Sequence, residues 1–388
     1  MKEGWTYKKL GEIALDMYRG SGIKRDQVTP IGFPCVRYGE IYTTYNYAFE
    51  ECVSHTNEEF IASPKYFSHG DLLFAITGES VEDIGKTIAY LGNEKCLLGG
   101  DIVCMKHEQN PKYLAYALSS REAIRQKGFG KTKLKVVHTN IPALSEIKIP
   151  IAPLDEQKRI VERLDAAFEN IDKLKANAEK QLAEARTLFQ KSLAKAMEPK
   201  EGWEEKKLGE ICSFSQGVQV PLNNQSLVKL GGYTRFLRII DYTQGNEPPR
   251  YVPINDAKYW MNHEDIAIVR YGASTGFICT GLEGTLANNL FRLNIKHNVV
   301  QQFLIYVLKS DIFQSVIKVQ MNGAAMPAIS FGLIDGIIIP LPPLAEQQRI
   351  VERLDALSEN IRKYEEIQRQ IISECDALKQ ALLRKVFE

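Results

Sequence analysis

The sequence IKIPIAPLDEQKRIVERLDA at positions 147–166 returns as IIIPLPPLAEQQRIVERLDA at positions 337–356, with fifteen of the twenty residues identical. A shorter block, EGWTYKKLGEI at 3–13, returns as EGWEEKKLGEI at 201–211. The two offsets, 190 and 198 residues, differ by eight, so the shared blocks are kept while the stretch between them has changed in length. Self-similarity of this kind is typical of a duplicated architecture. The chain is therefore predicted to contain two copies of one unit with two diverged inserts.

A long helix is predicted after each Pro-Leu-x-Glu-Gln segment. The first spans 155–197, a length of roughly 65 Å at 1.5 Å per residue, and Pro199 and Gly202 end it. Apolar residues follow with alternating spacings of four and three, from Ile160 to Leu188 in the first copy and, in the same register, from Ile350 to Leu382 in the second. Helices with one apolar seam need a partner. We expect the two helices to pair antiparallel, with one globular domain at each end.

Each insert is predicted to be a mixed domain of strands and helices. The segments 71–77 and 265–271 indicate short buried strands, and helical spacing begins near positions 111 and 299. The predicted fold class is α+β, with two tandem mixed α/β domains separated by two long antiparallel coiled-coil helices in a pseudo-twofold repeat. The predicted segments are a first domain at 1–152, a helix at 153–198, a second domain at 199–342 and a helix at 343–388.

Composition narrows the class of protein. The chain has 388 residues, a formal net charge of +1 and seven cysteines. The cysteines form no Cys-x-x-Cys pair, which argues against a zinc site and a disulfide framework. The polar N-terminus and the absence of a long apolar stretch favour a cytoplasmic location. The small net charge falls short of the basic surplus typical of a protein that binds nucleic acid alone.

Fragments that imitate catalytic motifs fail on spacing. Gly85-Lys86-Thr87 ends like a phosphate-binding loop, but Ser80 stands where that motif needs its first glycine. No glycine-rich dinucleotide motif follows a predicted strand, and the six histidines lack metal-ligand spacing. The sequence therefore predicts a protein without catalytic residues, metal or cofactor of its own.

Two variable domains that alternate with two near-identical helical regions resemble the specificity subunit of Type I restriction-modification systems. The resemblance covers the whole chain and is sharpest from Ile149-Pro150 to Asp165 and from Ile339-Pro340 to Asp355. It implies that each domain reads one half of a split DNA sequence and that the helices set the gap. It also implies double-stranded DNA and two methyltransferase subunits as partners, with restriction subunits as further partners. S-adenosylmethionine, ATP and magnesium would belong to those subunits.

Basic and amide-bearing residues are the candidates for DNA contact. The segment 121–135 has six basic residues, Lys127 among them, against one acid, Glu122, which suits a phosphate clamp. Arginine and asparagine in the second domain suit guanine and adenine edges. The residues predicted to contact DNA are Arg37, Lys86, Arg121, Arg125, Lys131, Lys133, Lys135, Arg235, Arg238, Arg270, Tyr271, Ser274 and Asn322.

Two further interpretations remain open at this stage. The segment from Asp265 to Gly276 contains Arg270, whereas the corresponding stretch from Asp71 to Gly78 has no arginine, so an equivalent contact is not expected in the first domain. The alternative function is a duplicated protein-binding scaffold without base readout, which the small net charge favours.

Overall fold

The computed structural model describes residues 4–81, 83–128, 137–254, 256–296, 298–321 and 328–388. The chain forms two compact units. Unit 1 comprises residues 1–179 and 369–388, and unit 2 comprises residues 180–368. Each of the two long helices contributes residues to both units, because one spans Leu154–Ala196 and the other Leu344–Phe387.

Short strands and helices alternate in unit 1. Its strands are β1 (Thr6–Lys9), β2 (Ala14–Arg19), β3 (Val28–Thr29), β4 (Phe33–Val36), β5 (Ala48–Phe49), β6 (Ser54–Thr56), β7 (Tyr66–Phe67), β8 (Leu72–Ala75), β9 (Thr77–Gly78), β10 (Thr87–Tyr90), β11 (Cys96–Leu98), β12 (Ile102–His107), β13 (Val137–His138) and β14 (Lys148–Ile151). Its helices are α1 (Leu10–Ile13), α2 (Tyr38–Thr43), α3 (Pro111–Ala117), α4 (Arg121–Gly128), α5 (Ile141–Ser145) and the start of α6 (Leu154–Ala196).

Two five-stranded sheets build the body of unit 1. One has the order β2-β12-β8-β10-β5 and the other β3-β6-β4-β11-β7. Their facing side chains, among them Val36, Leu73 and Leu98, are fully buried. On its other face the first sheet packs against α3 and α6 through residues such as Phe74 and Leu114. The predicted strand at 71–77 is β8, and the predicted helix near position 111 is α3.

Unit 2 repeats these elements. Its strands are β15 (Glu204–Lys207), β16 (Cys212–Gln216), β17 (Thr234–Leu237), β18 (Arg250–Val252), β19 (Trp260–Met261), β20 (Ile266–Val269), β21 (Ile278–Cys279), β22 (Gly284–Leu286), β23 (Leu290–Ile295) and β24 (Ile338–Leu341). Its helices are α7 (Leu208–Ile211), α8 (Ile239–Thr243), α9 (Gln301–Lys309), α10 (Asp311–Met321), α11 (Phe331–Asp335) and the start of α12 (Leu344–Phe387).

Each sheet of unit 2 has four strands, in the same order as four of the five strands in its counterpart in unit 1. The order β16-β23-β20-β21 matches β2-β12-β8-β10, and β18-β17-β22-β19 matches β6-β4-β11-β7, so β5 and β3 have no counterpart strand among the described residues of unit 2. The second sheet of each unit contains one parallel pair, β11 with β4 or β22 with β17, among antiparallel neighbours, and the first sheet of unit 1 adds the parallel pair of β10 with β5. The two inserts therefore share one fold, as the weak sequence echoes predicted.

The long helices run antiparallel within each unit. In unit 1 the carboxylate of Asp172 accepts from Lys379 and that of Asp376 from Lys175, so residue numbers rise along α6 while they fall along α12. In unit 2 Arg186 of α6 donates to Glu365 of α12 at 3.1 Å, and Lys200, four residues after the end of α6, pairs with Glu346 near the start of α12 at 3.0 Å. The predicted pairing direction is therefore observed inside both units.

The predicted apolar seam is only partly correct. Leu164 and Ile171 are buried, but Leu174 and Leu188 are about half-exposed, at 50% and 54%. An α-helix drifts by about 20° per heptad relative to a strict seven-residue pattern, so a 4-3 pattern leaves the buried face over several turns. Near its start α6 turns instead to its own globular body, where Phe168 is buried beside Tyr47 and Tyr116.

The shared motif anchors each long helix to its domain. Gln157 is fully buried, accepts from the Asn110 backbone at 3.0 Å and donates to the Ala152 carbonyl at 2.7 Å. Gln347 repeats this with the Val300 amide at 2.7 Å and the Pro342 carbonyl at 2.8 Å. The Glu-Gln dipeptide therefore recurs because its glutamine satisfies backbone groups that would otherwise be buried without partners.

An acid shared by both copies, farther along each helix, has a second anchoring role. Asp165 accepts from the Tyr116 hydroxyl, and Asp355 accepts from the Tyr306 hydroxyl at 2.5 Å. Lys112 adds an ion pair to Asp165 in unit 1. Each long helix thus holds the helix α3 or α9 of its own unit in a fixed position.

Candidate nucleic-acid interface

Several loops of unit 1 meet where strands β2, β4 and β8 end and β12 begins; we call this the strand-end edge of unit 1. The amide of Ser21 donates to the Leu98 carbonyl at 3.0 Å, and that of Gly99 donates to the Val36 carbonyl at 2.9 Å. The Ile76 amide donates to the Asp101 carbonyl at 3.0 Å. These bonds fix the loops that follow three different strands beside one another.

A groove of about 710 Å³ opens along this edge. Its lining includes Arg25, Arg37, Tyr38, Gly100 and Asp101. The Tyr38 side chain is 43% exposed, and Arg25 is exposed as well. Cationic, acidic and aromatic groups therefore line one open concavity on loops that the sheets hold in place.

The same edge exists in unit 2, at the ends of β16, β17 and β20. The Val218 amide donates to the Leu286 carbonyl at 2.8 Å, and the Ala287 amide donates to the Leu237 carbonyl at 3.0 Å. The Arg270 amide donates to the Asn289 carbonyl at 2.9 Å. This is the strand-end edge of unit 2, and it brings the predicted residues Arg238, Arg270 and Tyr271 to one side of the domain.

Arg270 is held between aromatic rings. Its guanidinium carbon lies 4.5 Å from the centre of the Tyr271 ring and 4.9 Å from that of Phe291, and its Nε donates to the Ile329 carbonyl at 3.3 Å. Contacts of this type restrict the side chain and leave further N–H groups for other acceptors. Ser274 lies in the following turn, where its carbonyl accepts from the Phe277 amide at 3.0 Å.

Arg37 and Arg238 occupy equivalent positions and make equivalent ion pairs. Each precedes a short helix, α2 or α8, and each pairs with the acid three residues on, Glu40 or Asp241. Arg238 also pairs with Glu247 at 2.9 Å, and its side chain is only 14% exposed. The common role visible in the structure is to hold the start of the helix at the edge.

Two other predicted residues, Arg235 and Lys86, have side-chain nitrogen atoms inside unit 2 and unit 1, respectively. Arg235 lies on β17, and its Nε is buried without a hydrogen-bond partner among the described residues. The Lys86 ammonium donates to the carbonyls of Tyr45 at 3.0 Å and Tyr42 at 3.4 Å, and burial lowers its pKa. Lys86 therefore neutralises the C-terminal end of α2, where cations are favoured.

The predicted phosphate clamp is split by the structure. Arg121 and Arg125 are exposed on α4, where Arg125 pairs with Glu122 at 2.7 Å. Lys127 is buried instead, and donates to the Leu118 carbonyl at 2.8 Å and to the Thr87 hydroxyl at 3.1 Å. Its inclusion in a surface clamp was wrong, because the helix places its side chain under the domain surface. Lys131, Lys133, Lys135 and Asn322 lie outside the described residues.

In unit 2 a different side chain donates to the carbonyl that corresponds to the Leu118 carbonyl bound by Lys127. The equivalent position holds Ile317, and Gln314, one turn earlier, donates to the Leu308 carbonyl at 2.7 Å and to the Gly276 carbonyl at 3.0 Å. Burial lowers the pKa of Lys127 to about 7. The last turn of α3 is therefore satisfied by the amino group of Lys127 in unit 1, and that of α9 by the amide of Gln314 in unit 2.

Sequence reasoning missed several polar residues at the two edges. Arg19 and Asp101 form an ion pair in unit 1, and Gln216, Asn288 and Asn289 lie at the matching place in unit 2. A signal was present, since Gly20 and Gly217 follow the matching strands β2 and β16. A Cβ atom at either glycine would collide with backbone carbonyls of the adjoining loop. A glycine repeated for close approach marks where the loops converge.

The described part of the chain contains no group of three or more His, Cys, Asp or Glu placed to hold a metal ion. Among the same residues, no helix is both long and apolar enough to span a bilayer. Besides acids such as Asp101, the polar groups at the edges include arginines, amides and hydroxyls, which are groups that proteins use on nucleic-acid edges and phosphates.

Comparison with known proteins agrees with this chemistry. The model of the Type I restriction modification DNA specificity domain matches residues 2–184 and again residues 200–372. The chain therefore belongs to this family of DNA specificity proteins. It is a non-catalytic subunit that recognises DNA sequence.

Named relatives support the assignment along the full length. A putative type I restriction enzyme MjaX specificity subunit from Methanocaldococcus jannaschii is 27% identical, covering 92% of this chain and 88% of the relative. The StySPI specificity subunit from Salmonella potsdam is 23% identical over 100% of this chain and 89% of its own.

Two solved structures show the same fold. A chain described in work on the complex assembly and conformational transition of the type I R-M system aligns with a TM-score of 0.81, at 20% identity, over 99% of this chain and 98% of its own. The HsdS subunit from Thermoanaerobacter tengcongensis aligns with a TM-score of 0.56, at 20% identity, over 100% of this chain and 97% of its own.

Proposed function

We propose that this chain recognises a split DNA site, with one short word read at the strand-end edge of each unit. The observation that carries the proposal is the contrast between the two edges. The same fold brings the same loops together in both units, while the side chains at matching positions differ, as Arg19 and Asp101 against Gln216 and Asn289. A duplicated reader with two different surfaces fits two different words.

The recognition domains are assigned to 1–152 and 199–342, and the helices at 153–198 and 343–388 are assigned the role of a spacer. Support comes from α6 and α12, which are continuous over 43 and 44 residues. A continuous helix of that length rises about 65 Å, which is long compared with the ~3.4 Å step of one base pair.

The residues predicted to contact DNA fall into three groups according to the contacts that their side chains make within the chain. Arg270, Tyr271, Ser274 and Asn322 are assigned to base edges in unit 2. Exposed Arg121 and Arg125, with Lys131, Lys133 and Lys135, are assigned to phosphates in unit 1. Arg37, Arg238 and Lys86 are assigned to shaping the edges, because neighbouring acids or carbonyls already engage them. Arg235, whose buried Nε has no hydrogen-bond partner among the described residues, keeps its assignment to a base edge.

Methyltransferase subunits are the proposed partners, two per chain because the chain is a repeat, with restriction subunits joining that complex. S-adenosylmethionine, ATP and magnesium would be held by those partners. The net charge of +1 supports a division of labour in which the partners supply much of the attraction to phosphates. The location that follows is the cytoplasm, where the DNA is.

The test is selection from a random duplex library with the purified complex of this chain and its methyltransferase. The expected result is a motif of two short words around an unread gap of constant length. Enrichment of no motif by a correctly assembled complex would favour the alternative, a protein-binding scaffold.

A second measurement tests the phosphate assignment. The Arg121→Ala/Arg125→Ala variant should weaken binding to every sequence alike. For each phosphate that the variant no longer neutralises, the log–log slope of affinity against salt should become shallower by about 0.9. Lys173→Ala/Lys180→Ala on the exposed surface of α6 is the matched control. A change in the selected words would contradict a phosphate role.

A further inference from the structure

The strand-end edge of unit 2 carries four carboxamides where unit 1 has other chemistry. The loop after β16 supplies Gln219 beside the strand's last residue, Gln216, and the turn before β23 supplies Asn288 and Asn289. We call these four residues the carboxamide cluster.

Backbone contacts establish which positions correspond in the two units. The Gln216 side chain donates to the Asn288 carbonyl at 2.8 Å, as the Arg19 side chain donates to the Gly100 carbonyl at 2.7 Å. Asn289 therefore corresponds to Asp101, the residue after Gly100.

The remaining pair of positions differs most between the units. In unit 1 Gly22 and Gly100 approach each other closely, and both line the open groove. In unit 2 the corresponding residues are Gln219 and Asn288, whose side chains touch, since the Asn288 Nδ2 lies 3.4 Å from the Gln219 Oε1. The side-chain amides of Gln219 and Asn288 thus occupy the place where unit 1 has an open groove beside the Arg19–Asp101 ion pair.

The cluster retains unused hydrogen-bonding capacity. The 3.4 Å bond between Asn288 and Gln219 is at the long limit for a hydrogen bond. Neither side chain makes another hydrogen bond among the described residues, so both N–H donors of Gln219, the second N–H of Asn288 and the Oδ1 acceptor of Asn288 are available. Gln219 is exposed and Asn288 half-buried. Exchanging the amide O and N assignments of both residues would still leave N–H donors and an acceptor.

Asn289 supplies a second, independent sign of a missing partner. Its Oδ1 is buried and has no hydrogen-bond partner among the described residues. In unit 1 the corresponding carboxylate of Asp101 is engaged by Arg19. A buried polar atom without a partner costs free energy, and in native proteins such atoms are commonly satisfied by a ligand or water.

We propose that the carboxamide cluster reads an adenine in the word recognised by unit 2, with Gln219 and Asn288 touching the base and Gln216 and Asn289 positioning them. Adenine presents N7 as an acceptor and the N6 amino group as a donor in the major groove, which matches one amide donor and one amide acceptor. Uncharged amides add no positive charge to attract phosphates, so their concentration here suits base discrimination. This inference rests on the proposed function.

The test measures competition binding by the intact complex with a panel of duplexes, each altered at one position of the two words. Gln219→Ala and Asn288→Ala should each relax discrimination at one adenine of the unit 2 word, by roughly 10-fold to 100-fold. The unit 1 word should be read as strictly as before. A Gln219→Gly/Asn288→Gly variant has the glycines that unit 1 carries at the corresponding positions, Gly22 and Gly100, so it should fold. It should relax discrimination at the same adenine.

Asn294→Ala is the matched control, because it removes the same amide from the opposite end of β23, about 17 Å from Asn289 at ~3.4 Å per residue. Full discrimination at every position in the Gln219 and Asn288 variants would overturn the inference while the split site stands. Relaxation at a guanine or at the unit 1 word would also overturn it. A wild-type complex without sequence preference would instead refute the proposed function.

Discussion

Arg238 illustrates how the contacts of a residue depend on neighbours that the sequence does not reveal. An arginine at a loop is a reasonable candidate for a guanine contact. In the fold its guanidinium is engaged by Asp241, which is almost fully buried, by Glu247 and by the Pro248 carbonyl. Its i+3 acid was visible in the sequence, but Glu247 and Pro248 reach it only through the turn after α8. Arg270, by contrast, lies between two rings, and its terminal N–H groups have no hydrogen-bond partner among the described residues.

Replacing Arg238 therefore tests stability. Arg238→Ala should lower the free energy of unfolding of unit 2 by about 3 kcal/mol, because removing one partner leaves a buried carboxylate uncompensated. Denaturant unfolding followed in unit 2 measures this decrease. Arg125→Ala, whose ion pair is exposed, should leave stability nearly unchanged. Equal effects of the two variants would contradict the structural role of Arg238.

At the scale of elements, the long helices and their antiparallel pairing could be predicted, whereas the faces they bury could not. Spacing alone identifies a helix and its apolar positions. Whether Leu174 faces the other helix or solvent depends on where α6 leaves its globular body, and that is set by distant residues such as Tyr47. The buried position of Lys127 could not be predicted for the same reason, since the Thr87 hydroxyl that accepts from it belongs to β10, a strand distant in the sequence.

The buried lysine predicts a pH dependence of the stability of unit 1. The pKa of Lys127 is lowered by burial from its ordinary value near 10.5 to about 7. Between these values the unfolded chain holds a proton that the folded chain has released, so stability rises with pH, by roughly 1 kcal/mol per unit. Hydrogen exchange of the β8 and β10 amides, measured between pH 7 and 9 and corrected for the intrinsic effect of pH on the exchange rate, should show this rise in stability.

A variant that copies unit 2 provides the comparison. Ile124→Gln/Lys127→Ile places a neutral amide and an isoleucine as Gln314 and Ile317 are placed in α10. The fold of unit 1 should persist and its stability should rise less steeply with pH, since Lys86, whose pKa burial also lowers, remains to contribute. The β20 amides in unit 2 should behave alike in both proteins. The same rise in the variant would show that Lys127 is not its source.

At the scale of the whole molecule, duplication was readable from the sequence, and the family followed from it. The shared blocks could be recognised without a structure because most of their residues recur in the same order. The strand-end edges could be recognised only in the structure, since residues 19–22, 99–101 and 76 come together only through sheet pairing. Because these positions are far apart in the sequence, Arg19 and the carboxamide cluster were missed while the anchoring motif was obvious.

The spacer role predicts the effect of shortening both helices. Deleting residues 176–182 and 369–375 removes two turns from each, about 10 Å of helix. The gap in the recognised site should shorten by roughly three base pairs at ~3.4 Å each, with both words unchanged. Motif selection with the shortened complex measures this. An unchanged gap in a folded complex would eliminate the helices as the ruler.

The most direct measurement of DNA specificity is single-molecule sequencing of methylated adenine in cells that carry this chain and its methyltransferase, beside cells that lack only this chain. The predicted result is a split motif, two short words around a constant gap, which disappears when the chain is deleted. An identical pattern of methylation in both strains, with the methyltransferase present and folded, would contradict the assignment of sequence recognition to this chain.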